Sequence, residues 1–130
     1  MSKILELEQM AEAMDIAIDS HTGGEKGRWY PIRKTVSIRK GLHPIQHLCT
    51  LAHELGHAHC GHVPGATGWV HARQEREANE WAAEFLISQG DYQRAEEVCD
   101  GHVGGIASEL GVTQEIVRAW QGLARFKVIA

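Results

Sequence analysis

The chain has 130 residues, 43% of them apolar, a net charge of −4 and nine histidines, a length and apolar content that suit one compact core. The acidic balance argues against a strongly basic nucleic-acid footprint, and no stretch approaches the roughly 20 apolar residues of a membrane span. Met1 leads directly into Ser2-Lys3-Ile4-Leu5-Glu6 rather than a signal-peptide core, so a cytoplasmic protein with no membrane role is expected.

From about Ser2 to Asp19, the residues Ile4, Leu7, Met10, Ala11, Met14, Ala17 and Ile18 recur at helical spacing, which predicts a core-packing helix. His21 to Gly27 holds three glycines and reads as a turn. Trp29-Tyr30-Pro31-Ile32 and Thr35-Val36-Ser37-Ile38 read as two short antiparallel strands. Val36 and Ile38 face the core and Thr35, Ser37 and Arg39 face water.

Gly41 to Pro44 turns into a helix that ends near Cys60-Gly61. It carries His53-Glu54-Leu55-Gly56-His57. At about 3.6 residues per turn, His53 and His57 leave one face and can hold one metal ion, with Glu54 roughly 100° around. A catalytic zinc usually takes three protein ligands and keeps a position open for water, so a third ligand is expected downstream. A second amphipathic helix, from about Ala72 to Ser88, buries Ala78, Trp81, Ala82, Phe85 and Leu86 and places Glu75 on the same inward side. The loop Val63 to Gly68 would fold it back against the first, bringing Glu75 to the histidines.

The remaining histidines lack ligand spacing. His59 lies about 200° around from His57, and His62 follows the helix-ending Gly61; both read first as surface or capping residues and second as outer partners of the ligands. His71, four residues before Glu75, reaches the cleft only if its helix starts early. The cysteines Cys49, Cys60 and Cys99 are odd in number and lack C-x-x-C spacing, which argues against a disulfide framework, and Cys60 reads as a buried free thiol.

Gly90-Asp91 opens a short helix through Tyr92, Ala95 and Val98. Val103 to Trp120 then has helix-turn-helix spacing, with Ala107 small, Gly111 at the turn, Thr113 as cap, and Val117 and Trp120 inward. From Gly101 onward Arg118, Arg125 and Lys127 face Glu109 and Glu115, a net of one positive charge that argues against direct DNA binding and for packing or repressor docking. Leu123 to Ala130 reads as a short strand or a frayed end.

The pair His53-Glu54-Leu55-Gly56-His57 and Glu75-x-x-Ala78-Asn79-x-Trp81-Ala82-Ala83-x-Phe85-Leu86 resembles the ImmA/IrrE family of small zinc metallopeptidases, from the first helix to about Gly122. One departure is that many members end the second helix in Leu-Met-Pro, whereas this chain reads Leu86-Ile87-Ser88-Gln89. The resemblance implies an α+β, mainly helical, gluzincin-like minimal metalloprotease fold with a small antiparallel hairpin or sheet beside the active-site helix. That strand edge would take an extended substrate. Residues 1–130 would form a single domain, with a catalytic core over 1–100 and a helix-turn-helix-like part over 101–130. The resemblance also implies one Zn2+ per chain on His53, His57 and Glu75, a general base at Glu54, and a helix-packing Asn79.

The expected activity is a zinc endopeptidase that cleaves a protein substrate, a helix-turn-helix repressor, and so derepresses phage, mobile-element or stress genes. Glu54 would take the proton of the attacking water and pass it to the leaving amine. Tyr30, His71 and Arg73 are the candidate oxyanion donors, and a backbone carbonyl or Asn79 would orient an imidazole. Manganese or iron could occupy similar ligands. Two other readings stay open: a regulatory module with a structural metal that binds a repressor or DNA without proteolysis, marked by a fourth ligand from His62 or a cysteine, and a toxin–antitoxin-type partner that has kept only the fold.

Overall fold

The computed structural model describes the backbone of residues 2–129 and the side chains of residues 2–123. The architecture is α+β and mainly helical. Helix α1 (Lys3–Ala13) is followed by strands β1 (Ala17–His21), β2 (Gly27–Tyr30) and β3 (Thr35–Arg39), and then by α2 (Pro44–His59), α3 (Gly68–Leu86), α4 (Gln89–Val98), α5 (Val103–Leu110) and α6 (Gln114–Ile129). One apolar cluster runs through the molecule from Leu7 on α1, through Val36, Leu51, Leu55 and Ala82, to Ile106, Ile116 and Val117. No helix among the described residues is long and apolar enough to cross a membrane.

The first helix stops earlier than its apolar stripe predicts. Ser2 caps it by accepting from the Leu5 amide at 3.3 Å. At its other end Asp15 takes a left-handed conformation (φ 60°), the Asp15 amide donates to Glu12 O and the Ile16 amide to Ala11 O. This is a Schellman end with an aspartate where glycine is usual, so Ala17 and Ile18 leave the helix and enter β1 instead. The sheet therefore has three strands in the order β1-β3-β2. The expected antiparallel pair is β2 with β3, and β1 adds a parallel neighbour in the register Ala17↔Thr35 to His21↔Arg39. With β3 central, Ser37 is buried rather than wet, and its hydroxyl lies 2.7 Å from His21 Nδ1.

Helix α2 begins with Pro44 in its first turn, His43 capping it by accepting from the Ile45 amide at 3.3 Å, and Gly61 (φ 70°) ends it. Helix α3 starts at Gly68, four residues before the expected position, with Thr67 at its N-cap. The two helices cross where Gly56 meets Ala78: a Cβ on Gly56 would sit 2.7 Å from the Ala78 carbonyl oxygen, so only glycine permits this approach. Ile87 is extended and Ser88 caps α4, a path that needs no proline. Thr113 caps α6, its hydroxyl accepting from the Ile116 amide at 3.3 Å, and Trp120 stacks on Tyr92 with ring centroids 4.2 Å apart. Helix α6 continues to Ile129 where a strand or frayed end was expected; the side chains of residues 124–130 lie outside the described residues.

Candidate metal centre

Two helices bring the three expected ligands together. His53 and His57, one turn apart on α2, turn their Nε2 atoms to within 3.0 Å of each other. From α3, Glu75 Oε2 lies 2.7 Å from His53 Nε2 and 3.4 Å from His57 Nε2. These donor atoms form a group, all within 4.8 Å of one another, that could hold a metal ion. A tetrahedral ion with ligands at about 2.1 Å sets them about 3.4 Å apart. Rotamer adjustments of a few tenths of an ångström bring the triangle to that size, and two imidazoles with one carboxylate suit zinc or a similar divalent ion.

Each imidazole leans on a further group through its other nitrogen. His53 Nδ1 donates to Asn79 Oδ1 at 2.7 Å, so of the two acceptors expected for an imidazole, a backbone carbonyl or Asn79, it is Asn79 that meets His53. The Asn79 amide in turn donates to Glu115 Oε1 on α6 at 2.9 Å. His57 Nδ1 lies 2.9 Å from His62 Nδ1, and His62 Nε2 lies 3.0 Å from Glu77 Oε1. His62 is thus neither a surface nor a capping residue; it is 8% exposed. The signal was Gly61. With this glycine left-handed, the Gly61 amide donates to Ala58 O and the His62 amide to His57 O, another Schellman end, which sets the residue after the glycine beside the one three from the helix end. His59 faces elsewhere, 5.5 Å from the Trp81 ring. Cys60 is exposed, not buried, and all three cysteines are free.

Electrostatics separate the carboxylates. Glu54, 7% exposed, is pushed above its ordinary value by burial, against the lowering pull of His53 and His57. Hydrogen bonds from His53 and His57 hold Glu75 well below the usual carboxylate range. For His53 burial works against the charged form, but the carboxylates of Glu75 and Glu54 outweigh it and the pKa rises.

Two cavities of about 340 Å³ each flank Glu54 and share Glu25, Gly27, Glu54 and Glu75. The one on the His57 side is walled by Trp29, Tyr30, Val63, Pro64 and Ala66, with His71 at its rim. The one on the His53 side is walled by Gln46, Thr50, Asn79, Thr113, Glu115 and Ile116. Strand β2 runs past both, so close that a Cβ on Gly27 would meet Glu54 Cγ at 2.6 Å. Among the described residues β2 pairs with β3 alone, which leaves its other edge beside the site. Tyr30 and His71 face the first cavity. Arg73 does not line it; it lies 3.9 Å from Glu77 and over the Trp69 ring, which removes it as an oxyanion candidate.

The family model described as IrrE N-terminal-like domain, Peptidase_M78, matches residues 9–119. Among solved structures, a Mycobacterium tuberculosis transcriptional regulator is similar with a TM-score of 0.63 and 20% identity, over 90% of this chain and 40% of the regulator's. That likeness speaks for the fold, and this chain spans well under half of the regulator's length. No curated protein matched the sequence.

Proposed function

Since the chain belongs to the IrrE N-terminal-like family, Peptidase_M78, we propose that it is a zinc-dependent endopeptidase whose ligands are His53, His57 and Glu75 and whose general base is Glu54. The observation that carries this reading is a buried carboxylate, Glu54, set between the ligand group and the edge of a strand. When bound, the metal supplies Lewis acidity towards a water and a peptide carbonyl. The residues of the chain do the rest. The edge of β2 aligns an extended substrate backbone by main-chain hydrogen bonds. Glu54 takes the proton of the attacking water and passes it to the leaving amine. Tyr30 and His71, which line the His57-side cavity, are the proposed further donors to a developing oxyanion.

The structural-metal alternative needs a fourth ligand, and among the described residues the group holds three. His62 is engaged with His57 and Glu77, and Cys60 lies at the surface, which favours a site open to water. Direct DNA reading is also disfavoured, because the first turn of α6, where a recognition helix contacts bases, is packed against the site. The substrate we propose is a folded helix-turn-helix repressor, since cavities this open cannot enclose their target and recognition falls to docking.

The test is metal content of the wild type, Glu75→Ala and His57→Ala, with cleavage of a repressor encoded beside it measured on the same samples. One zinc per chain, lost together with cleavage in both variants, is expected. Metal retained by Glu75→Ala would refute the ligand set, and metal without cleavage of any repressor would refute the substrate.

A further inference from the structure

Both imidazoles face the same chemical requirement. A histidine ligating through Nε2 must carry its proton on Nδ1, and nothing in an isolated imidazole enforces that choice. The groups hydrogen-bonded to each Nδ1 do not enforce it either: an asparagine amide can turn either its oxygen or its nitrogen to a neighbour, and a neutral imidazole can donate or accept at each nitrogen. The ends of the two chains of contacts can. Glu115 and Glu77 are carboxylates, which when ionised only accept.

The constraint passes from atom to atom. Glu115 Oε1 at 2.9 Å obliges Asn79 to offer its amide N–H there, which leaves Asn79 Oδ1 to accept, and His53 Nδ1 to donate, at 2.7 Å. Glu77 Oε1 at 3.0 Å obliges His62 to donate through Nε2, which leaves neutral His62 accepting at Nδ1 and His57 donating to it at 2.9 Å. Either way the lone pair emerges at the Nε2 that faces Glu75. We propose that Glu77 and Glu115, neither of them a ligand, are positioning residues that fix the tautomers of His57 and His53 through His62 and Asn79. This rests on the ligand set proposed above. It also gives the helix-turn-helix-like segment a task, since the first turn of α6 is the anchor of the His53 relay.

The test is zinc affinity, by competition with a chromophoric chelator, for the wild type, Glu77→Gln, Glu115→Gln and the pair Glu115→Gln with Asn79→Asp. Glutamine keeps the shape and the reach but can donate as well as accept, so each single variant is expected to bind zinc about tenfold more weakly. In the pair, the carboxylate introduced at position 79 only accepts, from both His53 and the amide introduced at position 115. The direction of the relay and its net charge are thereby restored, and affinity is expected to return. Glu80→Gln removes the same charge from α3 outside both relays and is expected to bind as the wild type does. Single variants that bind like the wild type, or a pair weaker than Glu115→Gln alone, would overturn the relays while leaving the ligands in place. A wild type that binds no zinc would overturn the ligand set and the relays together.

Discussion

The two sides of the site are held by unlike parts of the chain. Around His57 the support is nearby: His62 follows five residues later and Glu77 comes from the facing stretch of α3, while Trp29 pins the loop by donating to the His62 carbonyl at 3.0 Å. Around His53 it is remote: Asn79 is 26 residues away and Glu115 a further 36, on a helix joined to the rest through Ile106, Ile116 and Val117. The cavities repeat the contrast, with aromatic and aliphatic walls on the His57 side and polar ones on the other. One ligand thus depends on contacts made within a short span of chain, and the other on how firmly α6 is seated. Glu54 belongs to both sides, so Glu54→Gln separates chemistry from support. Cleavage is expected to fall by about 10²–10⁴-fold, the usual worth of a general base, with zinc affinity unchanged. A variant cleaving at the wild-type rate would move the base elsewhere.

The next largest effect is expected from the seat of α6. Ile116 is 2% exposed in the core and lines the His53 cavity. Ile116→Ala leaves a cavity at a cost of about 2–5 kcal/mol, read by denaturant unfolding of the zinc-loaded and zinc-stripped protein. If the remote side alone depends on this seat, Ile116→Ala also weakens zinc binding, adding little in combination with Glu115→Gln and adding fully to Glu77→Gln. Additivity with both would mean that α6 supports the two sides alike.

A smaller effect should appear in the pH dependence of zinc-stripped protein. The His53–Glu75 contact combines a raised imidazole with a lowered carboxyl. Glu75 contributes stability above its ordinary 4.5, lost as pH falls through its lowered value. His53 contributes stability that is fully present below its ordinary 6.5, lost as pH rises through its raised value. Between about 4.5 and 6.5 the contact is therefore at full strength, and thermal stability in chelator should decline above that window. Glu54, raised by burial and further by the Glu75 charge, brings its own decline from 4.5 upward; the difference between the wild-type and Glu75→Gln curves therefore reports all that Glu75 contributes, its bond with His57 and its push on Glu54 included. A decline above pH 6.5 of equal size in Glu75→Gln would place its origin outside this contact.

What could be read in advance follows the same division. The ligand group was legible because its geometry is nearly local: four residues make one helical turn, and a carboxylate on the inward stripe of the next helix completes the set. The first helix ends before its apolar stripe does because Asp15 takes a conformation where glycine is the usual mark, which hid β1 and the parallel pairing. Helix α3 begins before its expected start because Val63 to Gly68 is turn-rich, so its first turn looks like loop. His62 was legible in principle, through Gly61. Glu115 was not: an exposed glutamate in the first turn of a helix is ordinary by every local rule, and only the tertiary packing of α6 brings it to Asn79.

The smallest expected effect measures how often the remote side opens. Cys49 is buried beneath the first turn of α6, and burial pushes its thiol up despite hydrogen bonding with Thr113; Cys60 is exposed at the end of α2. A thiol reagent needs both access and thiolate. Cys49, 5% exposed on the wall of the His53-side cavity, should therefore react slowly, and faster when α6 lifts. In a Cys99→Ser background, Cys60 should label rapidly and Cys49 far more slowly, with Ile116→Ala accelerating Cys49 alone. Equal rates at the two thiols would mean that the start of α6 is not held over Cys49, where Thr113 bonds it. His53 would then be no more firmly supported than a residue on a loop, and the contrast between the two sides would vanish.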